Sequence, residues 1–199
     1  MPQMCEKVEL MDELSQEEFF KYEKMWAVRG YRARSPGERS LGEFLQMADM
    51  PTASTILDFG VGCGRPAYAL QQKGFRVTGI DLTQTCLDPD ILYKLNFVKA
   101  SLWELPSDLT GDYGYCTDVM EHIPPEKVDA VLAEQVRTCK VGCFYQIATF
   151  HDSFGRKINE ILHLTIENAD WWEDKLKAHW PNVERGTSER RSPRFWCYK

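Results

Sequence analysis

Three glycines alternate in the stretch "ILDFGVGCGRPAYAL", residues 56–70, where an apolar strand-like run gives way to a helix-like one. They are Gly60, Gly62 and Gly64. A glycine loop between strand and helix lets a ligand approach the backbone closely, and the first N–H groups of the helix favour negative charge or a hydrogen-bond acceptor. Two acids flank the loop. Asp58 precedes Gly60 by two residues, and Asp81 closes the next apolar run, "FRVTGIDL", 23 residues after Asp58. An acid ending a second strand can accept both hydroxyl hydrogens of a ribose. A nucleoside-bearing cofactor is therefore expected, and the loop alone leaves its class open. The dinucleotide pattern G-x-G-x-x-A can be laid on Gly62, Gly64 and Ala67. Asp58 weighs against that alignment, because its carboxylate would repel a pyrophosphate, whereas it would pair with an α-ammonium.

Acid–base chemistry would fall to the histidines, whose ordinary pKa lies near neutrality. His151, beside Asp152, follows the fifth strand-like run and faces the crevice where ligands of such folds sit, so it is the first catalytic candidate. His122, directly after Glu121, is the second. His163, in "HLTIENADWW", is a candidate for contact with the substrate. Trp171 and Trp172 are adjacent and cannot both face a core, so one of them, Trp171 by preference, is expected to line the substrate pocket. The seven cysteines are scattered and contain no CxxC pair, so no metal site is expected and they read as buried free thiols. Cys63, within the loop, reads as a small side chain that fits there.

These residues need elements to position them. "SQEEFFKYEKMWAVRGY" carries Phe19, Tyr22 and Trp26 at helical spacing, with Ser15 and Glu18 matching a capping box. "RSPGERS" breaks that helix, and Leu41 to Met47 makes a short second one. Residues 1–50 thus form a helical flap before the core, which runs from 55 to 199. Strands are expected at Thr55–Phe59, Phe75–Leu82, Asn96–Leu102, "YGYCTDVM" and "GCFYQIATF", with helices at Pro66–Lys73, "PPEKVDAVLAEQVRTC" and "ADWWEDKLKAHW". Alternating strands and helices imply parallel pairing and a sheet covered on both faces. "NVERGTS" and "RFWCYK" close the chain as two strands without a helix between them, hence an antiparallel hairpin.

The 199 residues suit a single domain, and 43% hydrophobic with 27% charged residues is an ordinary globular balance. No apolar run approaches the roughly 20 residues that cross a bilayer. The start, "MPQMCEKVEL", does not read as a signal peptide, so a cytoplasmic location is expected. A net charge of −6 argues against a nucleic-acid partner, although basic clusters occur at Arg29–Arg39 and Glu184–Arg194 and read as solvated loops. Oligomeric state is not legible.

Together these segments resemble the class I S-adenosylmethionine-dependent methyltransferases, over Thr55–Phe150 and the terminal hairpin. The resemblance implies a three-layer, Rossmann-like α/β fold with a mostly parallel seven-stranded sheet. It implies S-adenosylmethionine as cofactor, S-adenosylhomocysteine as product, and in-line methyl transfer to a small-molecule or other polar acceptor. It assigns cofactor contacts to Asp58, Gly60, Gly62, Gly64, Asp81, Leu82, Ser101, Leu102 and Asp118. "YRARSPGE" resembles an N-terminal flap of some members, which would close Tyr31 and Arg34 over the cofactor, Arg34 meeting its carboxylate. "TDVMEH" replaces the Asn/Asp-Pro-Pro-aromatic segment of exocyclic-amine methylation, and no Pro-Cys pair for cytosine carbon-5 chemistry occurs. The same fold kept as a binding module without turnover is the alternative, with an NAD-dependent enzyme behind it.

Overall fold

The computed structural model describes residues 11–187 and 191–199. The N-terminal segment "MPQMCEKVEL", with Cys5, and residues 188–190 of the second basic cluster lie outside that description.

Helix α1 (Glu13–Trp26) is capped by Asp12, whose carboxylate accepts from the Ser15 N–H at 2.7 Å. Glu13 in its first turn and Lys24 in its last complement the helix dipole. The helix thus begins before the capping box read at Ser15 and Glu18. Ser15 is buried, with its hydroxyl 2.8 Å from Ser101 Oγ, and Glu18 pairs with Lys21 at 2.6 Å. A 3₁₀ turn, Pro36–Arg39, then leads into α2 (Leu41–Ala48).

Seven described strands form one sheet: β1 (Thr55–Phe59), β2 (Arg76–Asp81), β3 (Asn96–Lys99), β4 (Gly111–Thr117), β5 (Cys139–Gln146), β6 (Asn182–Arg185) and β7 (Arg194–Tyr198). Their order is β3-β2-β1-β4-β5-β7-β6, with β7 antiparallel to both neighbours and the remaining pairs parallel. The chain leaves β1 toward β2 on one side and later enters β4 on the other. That reversal opens a crevice at the carboxyl ends of β1 and β4.

Alternation along β1 sends Ile56 to one face and Leu57 to the other. Ile56 packs with α2 and with α3 (Arg65–Gln72) through Phe44, Ala67 and Leu70. Leu57 packs with α4 (Val128–Thr138) and α5 (Ala169–Lys177) through Val131, Leu132, Trp172 and Leu176. Between β2 and β3, where the sequence offers no helix signal, a 3₁₀ turn at Gln84–Cys86 and further turns make the connection. Leu87, Ile91 and Leu95 of that connection are buried and supply the apolar cover a helix would have given. The six described cysteines are buried free thiols. Both basic clusters also do structural work. Arg32 donates to the carbonyls of Thr85, Cys86 and Leu87, and buried Arg194 pairs with Glu43 at 2.7 Å. No described helix is long and apolar enough to cross a membrane.

Candidate functional site

The crevice holds a cavity of about 290 Å³. Its floor comes from Asp58, Gly60 and Gly62 of the loop after β1, Asp81 and Leu82 at the end of β2, and Asp118 just past β4. Tyr22 and Trp26 of α1 cover it, together with Tyr31 and Arg34, while Phe150, His151 and Phe154 close one side.

The loop folds back over the end of β2. The N–H groups of Gly60 and Val61 both donate to Ile80 O, at 2.9 and 3.0 Å, and the Gly62 N–H donates to Asp81 Oδ2 at 3.1 Å. Gly60 has φ of 68°, and a Cβ there would sit 2.4 Å from Val119 Cγ2, so no larger residue fits. Gly64, φ 82°, caps α3 and lies against Leu87, where a Cβ would come within 2.8 Å. It shapes the loop and does not line the cavity.

Two carboxyl groups lie under this loop. Asp58 is buried, and its Oδ2 finds no partner among the described residues. Burial pushes this carboxyl well above its usual range, and Asp81 adds to the effect. Burial also raises Asp81, to about 6, against the opposing pull of the Gly62, Leu82 and Thr83 backbone N–H groups. The third floor acid, Asp118, adopts a left-handed backbone (φ 54°) and accepts from the Gln146 amide, which in turn accepts from Arg194 Nε at 2.9 Å. A chain of polar contacts thus runs from Glu43 through Arg194 and Gln146 to the cavity floor.

His122 and His163 meet edge to face, with ring centroids 4.6 Å apart. His122 Nδ1 lies 3.0 Å from Leu162 O and 2.8 Å from the Tyr22 hydroxyl, and His163 Nδ1 lies 2.5 Å from Phe150 O. Burial, reinforced by His163, pulls His122 down to about 3, and burial lowers His163 as well. His151 is exposed on the cavity wall. The flap and the segment after β5 meet at Phe154, whose ring lies 5.6 Å from that of Tyr31 and 4.6 Å from the Arg34 guanidinium.

The structure therefore brings Tyr31, Arg34, Asp58, Gly60, Gly62, Asp81, Leu82, Leu102, Asp118, His122, His151 and His163 to one cavity. Three sequence candidates lie elsewhere. Ser101 turns to Ser15, in a separate hollow beside β3, and Gly64 packs inward. Trp171, expected in the pocket, is half-buried on α5, against Trp172 at 4.9 Å and Lys175 at 5.4 Å. Trp172 is fully buried, and neither indole reaches the cavity, because α5 lies on a face of the sheet and not at its carboxyl edge. Sequence reading missed Tyr22, Trp26, Trp103, Phe150 and Phe154 as cavity walls. The signal for the first two was present: they stand four apart on one helix face, a spacing that core packing equally explains.

A family profile described as "Methyltransferase domain" matches residues 56–142. The chain is 31% identical over 115 residues to a ubiquinone biosynthesis O-methyltransferase of Rickettsia conorii, covering 55% of this chain and 39% of that protein. A protein of the same name from Rickettsia bellii is 35% identical over 91 residues, covering 43% and 37%. The chain thus spans about two fifths of the length of these curated relatives. Among solved structures, the 1,6-didemethyltoxoflavin-N1-methyltransferase of Burkholderia thailandensis, with bound S-adenosylhomocysteine, superposes with a TM-score of 0.67 at 17% identity, covering 100% of this chain and 90% of that one. The magnesium protoporphyrin IX methyltransferase of Synechocystis PCC 6803 gives 0.63 at 14% identity, covering 94% and 96%. At these identities the likeness shows the fold.

Proposed function

With residues 56–142 forming a methyltransferase domain of the class I, Rossmann-like fold, we propose that the chain transfers a methyl group from S-adenosylmethionine to a heteroatom of a small planar acceptor. The observation that carries the cofactor assignment is the buried Asp58 carboxylate, whose Oδ2 lacks a partner at the floor of a glycine-loop cavity. An α-ammonium group would supply the missing donor and charge, while a pyrophosphate would meet repulsion there. Asp81, at the end of β2, would accept from the ribose hydroxyls, and Leu82 and Leu102 offer apolar surface for the adenine. Arg34 offers a cation for the carboxylate. The residues fit the group.

When bound, S-adenosylmethionine supplies an electrophilic methyl on a sulfonium. The chain's work is then alignment and exclusion of water, and positioning of this kind contributes roughly 7–11 kcal/mol. Tyr22, Trp26, Tyr31, Phe150 and Phe154 wall the cavity with aromatic rings, which favours a flat acceptor. The names of the relatives and neighbours, which act in ubiquinone biosynthesis, on a protoporphyrin and on a didemethyltoxoflavin, accord with that class. Release of S-adenosylhomocysteine, followed across a panel of phenols and ring nitrogen compounds, tests the reading. No turnover with any acceptor, despite tight cofactor binding, would favour a binding module.

His151 is exposed on the wall and is the residue proposed to take the acceptor's proton. His151→Ala is expected to leave S-adenosylhomocysteine affinity unchanged and to lower turnover by about a hundredfold. Equal loss of affinity and turnover would assign it a structural role instead.

Cofactor affinity should also depend on pH. Asp81 has a raised pKa of about 6 without ligand, and hydroxyl donors favour its anion. Binding below pH 6 must therefore expel a proton, and Asp58, also raised, acts in the same direction. Affinity is expected to fall by about tenfold per pH unit below pH 6 through Asp81 alone, and more steeply where Asp58 also gives up a proton, with proton release visible in calorimetry across buffers of different ionisation enthalpy. A flat profile from pH 5 to 7 would remove both acids from the site.

A further inference from the structure

We propose that Glu121, His122 and His163 bind one divalent transition-metal ion of the zinc class at the wall of the cavity. Glu121 and His122 sit in the 3₁₀ turn Met120–His122 after β4, and His163 lies on the irregular segment between β5 and α5. One ligand atom from each of the three residues lies within 4.8 Å of the others. Ligands at about 2.1 Å from one tetrahedral ion stand about 3.4 Å apart, so a pair at the outer limit closes by roughly 1.4 Å, a movement that side-chain rotation of His163 on its irregular segment can supply.

Two further features prepare the donors. Phe150 O can only accept, so the proton of neutral His163 sits on Nδ1; His122 Nδ1 stands between Leu162 O and the Tyr22 hydroxyl, and in the tautomer that donates to the carbonyl the hydroxyl oxygen accepts from the same N–H. Each ring then keeps an unprotonated Nε2, and a backbone carbonyl holding the other nitrogen is the usual support for a metal-ligating histidine. Glu121 is fully buried, and although its own N–H and that of Ala148 approach the carboxylate, neither oxygen completes a well-aligned hydrogen bond among the described residues. Protonation does not remove that deficit, since a carboxylic acid would bury an unpaired O–H donor as well. A cation supplies what both oxygens lack. Two imidazoles with one carboxylate select zinc, cobalt, manganese or iron(II) over magnesium, which prefers oxygen ligands.

The test uses the full chain, freed of metal by dialysis against a chelator, then titrated with Co²⁺ by visible absorption and with Zn²⁺ by calorimetry. One equivalent is expected to bind, with affinity lowered at least tenfold in Glu121→Gln and in His163→Gln. His179→Gln, which removes a surface histidine paired with Asp129, is expected to bind as wild type does. His163 is only half-buried, so its variant decides the matter if Glu121→Gln does not fold. Absence of saturable binding, wild-type affinity in His163→Gln, or loss in His179→Gln would each overturn the site. Saturation by Mg²⁺ but not Zn²⁺ would overturn the metal class.

Discussion

An Asp81→Ala protein is expected to bind S-adenosylhomocysteine about ten- to a hundredfold more weakly than wild type, a loss of about 1.5–3 kcal/mol for hydrogen bonds to a charged group. The carboxylate lies at the end of β2 under the glycine loop, where it accepts from the Gly62 N–H and faces the cavity. Stability distinguishes a ligand-holding role from a structural one. The folded pKa of Asp81, about 6, lies above its ordinary 3.8. Its contribution to stability is therefore present below about pH 4 and lost as pH rises through 6. At pH 7.5 the unliganded protein holds this anion against the cost of desolvation. Asp81→Asn, which keeps an oxygen for the loop N–H groups, is thus expected to match or exceed the wild-type thermal midpoint while losing ligand affinity. A variant that loses midpoint and affinity together would place Asp81 in the scaffold alone.

The second large effect lies far from the cavity. Trp172→Ala is expected to cost about 3–5 kcal/mol of stability, measured by urea unfolding. Its indole is fully buried among Leu176, Trp180 and the strands of one face of the sheet. Trp172→Phe should cost far less, because Trp172 Nε1 has no partner among the described residues and its removal relieves a buried donor. Trp171→Ala is expected to change stability by less than about 1 kcal/mol, since that ring is half-buried. Ligand affinity should survive in each variant that folds. A Trp171→Ala protein that folds normally but loses turnover would return that indole to the substrate site.

The contrast between these tryptophans shows where sequence reading stops. Alternation along β1 and the glycine loop are local signals, and they placed Thr55–Phe59 at its observed bounds and Asp58 and Asp81 at the cavity. Which face of α5 meets the sheet depends on packing with β5 and β7, which periodicity over nine residues leaves open. The same limit explains Ser101, whose hydroxyl is captured by Ser15 across 86 residues of sequence. It explains the start of α1 as well, where Ser15 and Glu18 match a capping box by spacing but Asp12 supplies the cap. Strand β5 was expected over 142–150, yet it pairs over Cys139–Gln146, since a bulge at the Gly111/Tyr113 register carries the ladder back to Cys139. Glu121 was noticed only as the neighbour of His122. Its burial beside His163 is a product of the fold, and no local pattern announces it.

The most direct test of the cofactor assignment is calorimetric titration of the wild-type chain with S-adenosylhomocysteine and, separately, with NAD at pH 7.5. One-to-one micromolar binding of S-adenosylhomocysteine, with none of NAD, is the predicted result. Binding of NAD alone, or of neither ligand, would contradict the account of the Asp58 and Asp81 cavity.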